Sequence, residues 1–194
     1  MIYNFGRGLL RVLYKLLFRL EGHGLHHVPR EGGVLLCSNH ISNFDPPTIG
    51  ILLKRKVHFM AKAELFNIPV LGWLFRELGA FPVKRGGVSK ESIKTTLKLL
   101  RGGEIIGIFP EGTRSRTGEI GEGNKGAATF ALRSDAVVIP VAIMGSYKLF
   151  RKMKVVYGPP VDLDEFRENP GTDAAELATA RIMSEIVKLK SNNR

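Results

Sequence analysis

The chain has 194 residues, a hydrophobic fraction of 44% and a formal net charge of +11. That length suits one domain with a substantial core, and the apolar content excludes a disordered polypeptide. The lone cysteine, Cys37, excludes an internal disulfide and fits a reducing compartment, while the basic excess selects anionic partners without choosing among nucleic acid, acidic protein, anionic membrane and phosphorylated substrate.

Residues 2–20 read as one helix, with Gly22 and Gly24 just past its end. Arg7, Arg11, Lys15 and Arg19 recur every four residues and make a basic stripe. Leu9, Leu10, Val12, Leu13, Leu16, Leu17, Phe18 and Leu20 fill most of the remainder. The charges interrupt this run too often for a spanning helix, which needs about 20 mainly apolar residues. No small-residue cleavage pattern follows, so a secretory signal peptide is not expected. The apolar arc is wider than one packing face needs, which predicts an amphipathic helix lying in the headgroup layer of a membrane. The alternative is a helix packed on the domain with its basic stripe in water. Residues 21–33 carry His23, His26 and His27 without a carboxylate or cysteine at ligand spacing, so a polar surface turn is expected there and no metal site.

The apolar run Val34-Leu35-Leu36-Cys37 follows Gly32-Gly33 and reads as a buried strand, where Cys37 packs rather than reacts. Next comes Ser38-Asn39-His40-Ile41-Ser42-Asn43-Phe44-Asp45-Pro46-Pro47, and then Ile49, Ile51, Leu52 and Leu53, which read as a helix. His40 and Asp45 are five positions apart, too far to stack on one helical face. They meet if His40 leaves the strand end and the chain turns back before the helix. Pro46 and Pro47 favour that turn, because proline suits a first helical turn and pushes the preceding residue out of the helical region. The result is an imidazole with a carboxylate behind it, which fixes a tautomer and stabilises the protonated ring. Alternatively, Asp45 caps the helix and His40 is an ordinary loop residue.

Val57-His58-Phe59-Met60 predicts a second strand. The apolar stretch Ile68 to Phe75, broken by Pro69 and Gly72, reads mostly as core helix, with a part in walling an apolar ligand slot as the functional alternative. Ala80-Phe81-Pro82-Val83 reads as a short strand demoted to an edge by Pro82. Lys84 and Arg85 then stand on a Gly-Gly turn, where a guanidinium fork and a point charge suit a phosphate. A helix from Ser89 to about Leu100 turns Ile93, Leu97 and Leu100 inward and Lys90, Lys94 and Lys98 outward.

Glu104 to Phe109 is the clearest strand, and the loop Pro110-Glu111-Gly112-Thr113-Arg114-Ser115-Arg116 stands at its end, where α/β sheets place ligands. Gly112 admits an anion to the backbone, Thr113 and Ser115 offer hydroxyls, and Arg114 can fork onto a phosphate. Glu111 would repel a phosphate, so it holds Arg114 or Lys84 in position or braces loop amides. A helix over 124–133, a strand over 136–143 bent at Pro140, a strand over 154–157 and a terminal helix over 172–190 complete the chain. Alternating strands and helices predict a single α/β domain with a mixed or mainly parallel central sheet flanked by helices. The amphipathic, membrane-associating helix is residues 1–20 and the domain 21–194.

Four blocks carry a resemblance. They are Asn39-His40-x-Ser42-x-x-Asp45, Gly79-Ala80-Phe81-Pro82-Val83-Lys84-Arg85, Phe109-Pro110-Glu111-Gly112-Thr113-Arg114-Ser115 and Val138-Ile139-Pro140-Val141-Ala142. In this order, over roughly residues 20–160, the chain resembles the glycerolipid acyltransferase family, and most of all its bacterial 1-acyl-sn-glycerol-3-phosphate acyltransferases. The first and third blocks are specific signatures, and the second and fourth are weak alone. The resemblance implies acyl transfer from a thioester of coenzyme A or acyl carrier protein to lysophosphatidic acid, giving phosphatidic acid.

It also implies that His40 is the general base and Asp45 its orienting partner. Lys84, Arg85, Glu111, Gly112, Thr113 and Arg114 form the acceptor's phosphate site. Ser42 lacks the strained Gly-x-Ser-x-Gly turn of a nucleophilic serine, so direct attack by the acceptor hydroxyl is expected, with no metal and no cofactor beyond the thioester cosubstrate. The expected location is peripheral, on the anionic cytoplasmic face of the cell membrane. Rival readings are another acceptor, such as glycerol-3-phosphate or a different lysolipid, and a non-catalytic basic membrane binder. A nucleic-acid partner is not expected, because no recognised module or aromatic stacking pattern accompanies the basic residues.

Overall fold

In the computed structural model, which describes residues 2–83 and 89–193, the apolar run after Gly32-Gly33 forms strand β2, Val34–Ser38, buried along its whole length. Burial on both faces is why it reads as a continuous apolar run and not as an alternation. It lies between β5, Ile105–Ile108, and β6, Val137–Gly145, parallel to both. The other strands are β1, Glu21–His23, β3, Val57–Lys62, β4, Ala80–Val83, and β7, Met153–Tyr157. Together they make a seven-stranded sheet in the order β1-β7-β6-β2-β5-β3-β4. Only the β6–β7 pairing is antiparallel. Strands β2, β3, β4, β5 and β6 therefore all end at one edge of the sheet, and the Asn39–Asp45 and Pro110–Ser115 stretches each follow one of those ends. Pro82 sits on the edge strand β4, where a missing N–H costs nothing.

Period-two alternation divides the core between the two faces of the sheet. Leu35, Cys37, Ile106 and Val138 face helices α4, Lys90–Arg101, α5, Gly126–Leu132, and α7, Ala174–Ser191. Val34, Leu36, Ile105, Ile139 and Val141 face α1, Ile2–Phe18, and α2, Asp45–Gly50. The β3-to-β4 connection, which contains α3, Leu71–Glu77, advances in the same direction as the β2-to-β3 connection. A right-handed crossover accordingly puts α3 on the same face as α2 and α1. Burial pushes the Cys37 thiol well above its ordinary range, which leaves it a packing residue.

Several expectations are corrected. Glu21–His23 is a short parallel strand on β7 and not a surface turn, while His27 Nδ1 lies 2.9 Å from the Tyr157 carbonyl. Backbone pairing at a sheet edge holds this strand, so it leaves no apolar signature. Helix α2 stops at Gly50 instead of running through Leu53, and Ile51 and Leu53 are buried in the turn beyond. The stretch read as core helix, Ile68 to Phe75, follows a 3-10 turn, Ala63–Asn67, and is helical from Leu71 onward in α3, but Ile68, Val70, Trp73 and Leu74 lie on the surface and not in the core. A five-residue helix α6, Asp164–Glu168, was not anticipated.

Helix α1 ends at Phe18, two residues short of the expected 20, and has three faces rather than two. Tyr14 and Phe18 are buried against the domain, and Arg7 donates to the carbonyls of Leu53 and Lys54. Arg7 is thus spent on the domain, leaving Arg11, Lys15 and Arg19 exposed. Phe5, Leu9, Val12, Leu13 and Leu16, at spacings of three and four, form a separate apolar stripe open to solvent. Among the described residues, no helix is long and apolar enough to cross a membrane.

Among the described residues, three that are not glycine have positive φ: Arg19 at 45°, Val70 at 65° and Phe150 at 62°. Each such residue costs about 1–3 kcal/mol and persists only where its surroundings dictate it.

Candidate active site

The site begins where β2 ends. The Asn39 side chain, almost wholly buried, clasps the backbone of Ile143 on β6: Ile143 N donates to Oδ1 at 2.7 Å, and Nδ2 donates to Ile143 O at 3.1 Å. This pair of hydrogen bonds fixes the direction in which the chain leaves the sheet, so His40 emerges at the C-terminal edge. The chain then folds back, with Asp45 N donating to Ser42 O at 3.2 Å, and α2 starts at Asp45 with Pro46 and Pro47 in its first turn.

Asp45 is fully buried and does not cap α2; Phe44 holds the cap position and provides no side-chain bond. Its Oδ2 accepts from His40 Nδ1 at 2.6 Å, from Ile41 N at 2.6 Å and from Ser42 N at 2.7 Å. Its Oδ1 accepts from the Tyr147 hydroxyl at 2.7 Å. With every contact on Asp45 a donor, Nδ1 of His40 carries the proton and Nε2 is left with its lone pair. The His40 side chain keeps 17% of its surface open. The arrangement can accept a proton at Nε2 and balance the resulting imidazolium.

Behind and below the pair stand residues that sequence reasoning did not assign. Tyr147, in the loop after β6, also lies 2.7 Å from Thr48 Oγ1. Burial above all, and then the Asp45 charge, push its hydroxyl far above the usual range for tyrosine, so it remains a donor at any working pH. Phe109, at the end of β5, stacks on the His40 ring with centroids 4.0 Å apart and planes 14° from parallel. Positive charge developing on the imidazole would lie over an aromatic face, which is worth about 0.5–2 kcal/mol. Phe59 continues the row, 6.5 Å from Phe109, and crosses β5 at Gly107, where a Cβ would stand 2.2 Å from its ring. A side chain at position 107 would break the stack.

Glu111 takes one of the roles expected of it, bracing amides. Its Oε1 accepts from His40 N at 2.8 Å and its Oε2 from Gly121 N at 3.0 Å. Ser115 N donates to His40 O at 2.8 Å, so both backbone groups of His40 are held by the 111–115 loop. Gly112, at φ 69°, makes the turn that closes this loop, with its N–H on Phe109 O at 2.9 Å. Thr113 and Arg114 are exposed on it. Arg114 is one residue from the Ser115 bond to His40 and has no partner among the described residues, which leaves its guanidinium available to an anion. A cleft of about 330 Å³ beside the loop is rimmed by Glu111, Glu119 and Glu122, and that charge does not suit a phosphate. Lys84 and Arg85 lie outside the described residues; Val83 before them ends β4 at the site's edge of the sheet.

Replacing Tyr147 with phenylalanine tests its hold on Asp45. A hydrogen bond to a charged group is worth about 1.5–3 kcal/mol, so loss of part of it in orientation is expected to lower kcat about tenfold with KM unchanged. Unchanged kcat with a lowered melting temperature would mean that Tyr147 serves the fold alone.

Residues 19–144 match a family model described as acyltransferase. The chain is 33% identical to the 1-acyl-sn-glycerol-3-phosphate acyltransferase of Bacillus subtilis, over 98% of each protein. It is 27% identical to the Streptococcus pneumoniae protein of the same name, over 100% of this chain and 75% of that one. Its fold is similar to the crystal structure of the 1-acyl-sn-glycerophosphate acyltransferase PlsC from Thermotoga maritima. That match has a TM-score of 0.71 at 22% identity and covers 98% of this chain and 79% of the other.

Proposed function

The chain belongs to the acyltransferase family, and from that premise we propose that it acylates the sn-2 hydroxyl of 1-acyl-sn-glycerol-3-phosphate, forming phosphatidic acid for phospholipid synthesis. The single observation that carries the mechanism is the 2.6 Å contact between His40 Nδ1 and Asp45 Oδ2, which leaves the Nε2 lone pair to act as a base. Nε2 takes the hydroxyl proton as the oxygen attacks the thioester carbonyl. The tetrahedral adduct expels the thiolate, and the thiolate recovers the proton from His40. A positioned base of this kind contributes about 10²–10⁴-fold. The acyl donor is a thioester of acyl carrier protein or coenzyme A, and no metal takes part. Purified protein incubated with both donors and a panel of lysophosphatidate, glycerol-3-phosphate and zwitterionic lysolipids is expected to acylate lysophosphatidate by far the fastest. Preference for any other acceptor overturns the assignment.

The acceptor's phosphate is held by Arg114 with Gly112 and Thr113, joined by Lys84 and Arg85, and Glu111 keeps the loop in register with His40. Arg114→Ala is expected to raise the acceptor KM at least tenfold with little change in the donor's, and Arg114→Lys to restore it only in part, since a point charge cannot reproduce a fork. A rise in the thioester KM alone would move this loop to the donor side.

Helix α1 holds the enzyme peripherally on the anionic cytoplasmic leaflet through its solvent-facing stripe. Half-burying Phe5, Leu9, Val12, Leu13 and Leu16 is worth roughly 5 kcal/mol, and three exposed bases add about 3 kcal/mol that salt screens. Insertion thus outweighs charge. High salt is expected to release only part of the protein from vesicles, and Leu9→Asp with Leu16→Asp nearly all. Complete release by salt, with the double variant bound like wild type, would refute the insertion.

A further inference from the structure

Two strained turns, one before α3 and one after β6, both expose large apolar side chains. Val70, just before α3, is 76% exposed and Phe150, in the loop after β6, is 65% exposed. These are two of the three non-glycine residues with positive φ among the described residues. A left-handed backbone is unfavourable for any residue with a Cβ and worst for a β-branched one. Glycine would hold either turn more cheaply. In water the strain presents a side chain that is mostly exposed.

Their placement gives the strain a purpose. Phe150 N donates to Leu17 O at 2.6 Å, which fastens the Lys148-Leu149-Phe150-Arg151 turn to the C-terminal end of α1. At the other end, Leu78, just after α3, lies 3.4 Å from where a Cβ on Gly6 would stand. Trp73 and Leu74 are also exposed on α3, which shares its face of the sheet with α1. Leu149 and Phe150 sit between two exposed bases, and Arg11, Lys15 and Arg19 flank the stripe of α1. Apolar side chains with cations beside them, as on α1 and on the Lys148–Arg151 turn, match one surface: an apolar layer beneath anionic headgroups.

We propose that the Val70–Leu74 and Lys148–Arg151 turns enter the same anionic lipid monolayer as α1. This rests on the interfacial reading of α1 and extends it from one helix to a footprint with contacts at both of its ends. A helix alone can roll about its axis on a membrane, whereas flanking contacts stop the roll. Two residues before Leu149 stands Tyr147, which bonds Asp45, and Phe44 is exposed 5.5 Å from Tyr147. The Phe150 contact therefore brings the His40 edge to the lipid surface, where an acceptor can present its hydroxyl while its acyl chain stays in the bilayer.

The chain has one tryptophan, so emission from the full-length protein reports on Trp73 alone. On vesicles of phosphatidylglycerol and phosphatidylcholine, it is expected to shift to the blue and to be quenched by lipids brominated along the acyl chain. Val70→Gly and Phe150→Gly are each expected to weaken vesicle partitioning about tenfold. Both should keep or raise the melting temperature without lipid, because glycine relieves the strain, and leave turnover of a short-chain monomeric acceptor unchanged. If the wild type sediments with vesicles while Trp73 stays unshifted and unquenched, or if both glycine variants partition like wild type, the proposal is overturned and the reading of α1 survives. If the wild type does not bind vesicles, both fall. A lipid-free dimer that either glycine variant dissociates would assign the turns to a second copy of the chain, and would also overturn it.

Discussion

His40→Ala is expected to lower kcat by at least about 10²-fold, and as much as 10⁴-fold, while leaving the fold intact. The expectation is specific because of how His40 is held. Its backbone N–H and carbonyl, on Glu111 and Ser115, stitch the two motif loops together, and both bonds survive truncation of the side chain. What alanine removes is the ring that faces Asp45 and stacks on Phe109. The acceptor KM is expected to stay within a few-fold, since the imidazole acts on the hydroxyl and not on the phosphate. Steady-state kinetics on an acceptor series, with circular dichroism as the check on folding, reads both quantities. Near wild-type turnover in a folded His40→Ala protein would remove His40 from the chemistry.

Asp45→Asn is expected to cost roughly 10- to 10³-fold in kcat, the effect on a neighbouring base of removing an adjacent opposite charge. The hydrogen bonds say why the tautomer survives this change. Ile41 N and Ser42 N both donate to Oδ2, so the amide must keep its oxygen there and His40 Nδ1 still finds an acceptor. The amide nitrogen takes the place of Oδ1, where the Tyr147 hydroxyl can rotate from donor to acceptor. The hydrogen-bond network therefore closes around asparagine, and only the charge that balances a protonated ring is lost. Thermal stability is expected to change little. A loss as large as that of His40→Ala would instead mean that the ring has turned away. A kcat equal to wild type would mean that the Asp45 charge contributes nothing to the step.

The part of the site written in one local stretch was legible in the sequence. A strand end, a histidine, a carboxylate five positions on and two prolines specify a turn back over a short distance, and the structure closes it. The 111–115 loop was legible as a partner because it stands at the end of a strand, and Glu111 because a carboxylate among residues expected to bind phosphate needs some other task. Tyr147 was not legible. It lies 102 residues from Asp45 in the chain, and the two meet only because β6 is next to β2 in the sheet, a neighbour relation that periodicity does not carry. The Asn39 clasp on Ile143 was hidden for the same reason. Strand β1 was missed because three residues held by backbone pairing have no pattern to read. The stretch from Ile68 to Phe75 was misread because apolar residues bound for a core and apolar residues left on a surface look alike in a sequence. Only the packing separates them.

The proposed reaction is direct acyl transfer from thioester to lysophosphatidate, with His40 moving the proton. A single-turnover reaction with enzyme in excess, followed at once for phosphatidic acid, free thiol and the intact mass of the protein, tests it most directly. Phosphatidic acid and thiol are expected to appear together in equal amounts, with no acylated protein at any time and with both products suppressed in His40→Ala. Thiol released ahead of phosphatidic acid, together with a protein that gains and then loses the mass of an acyl group, would contradict it.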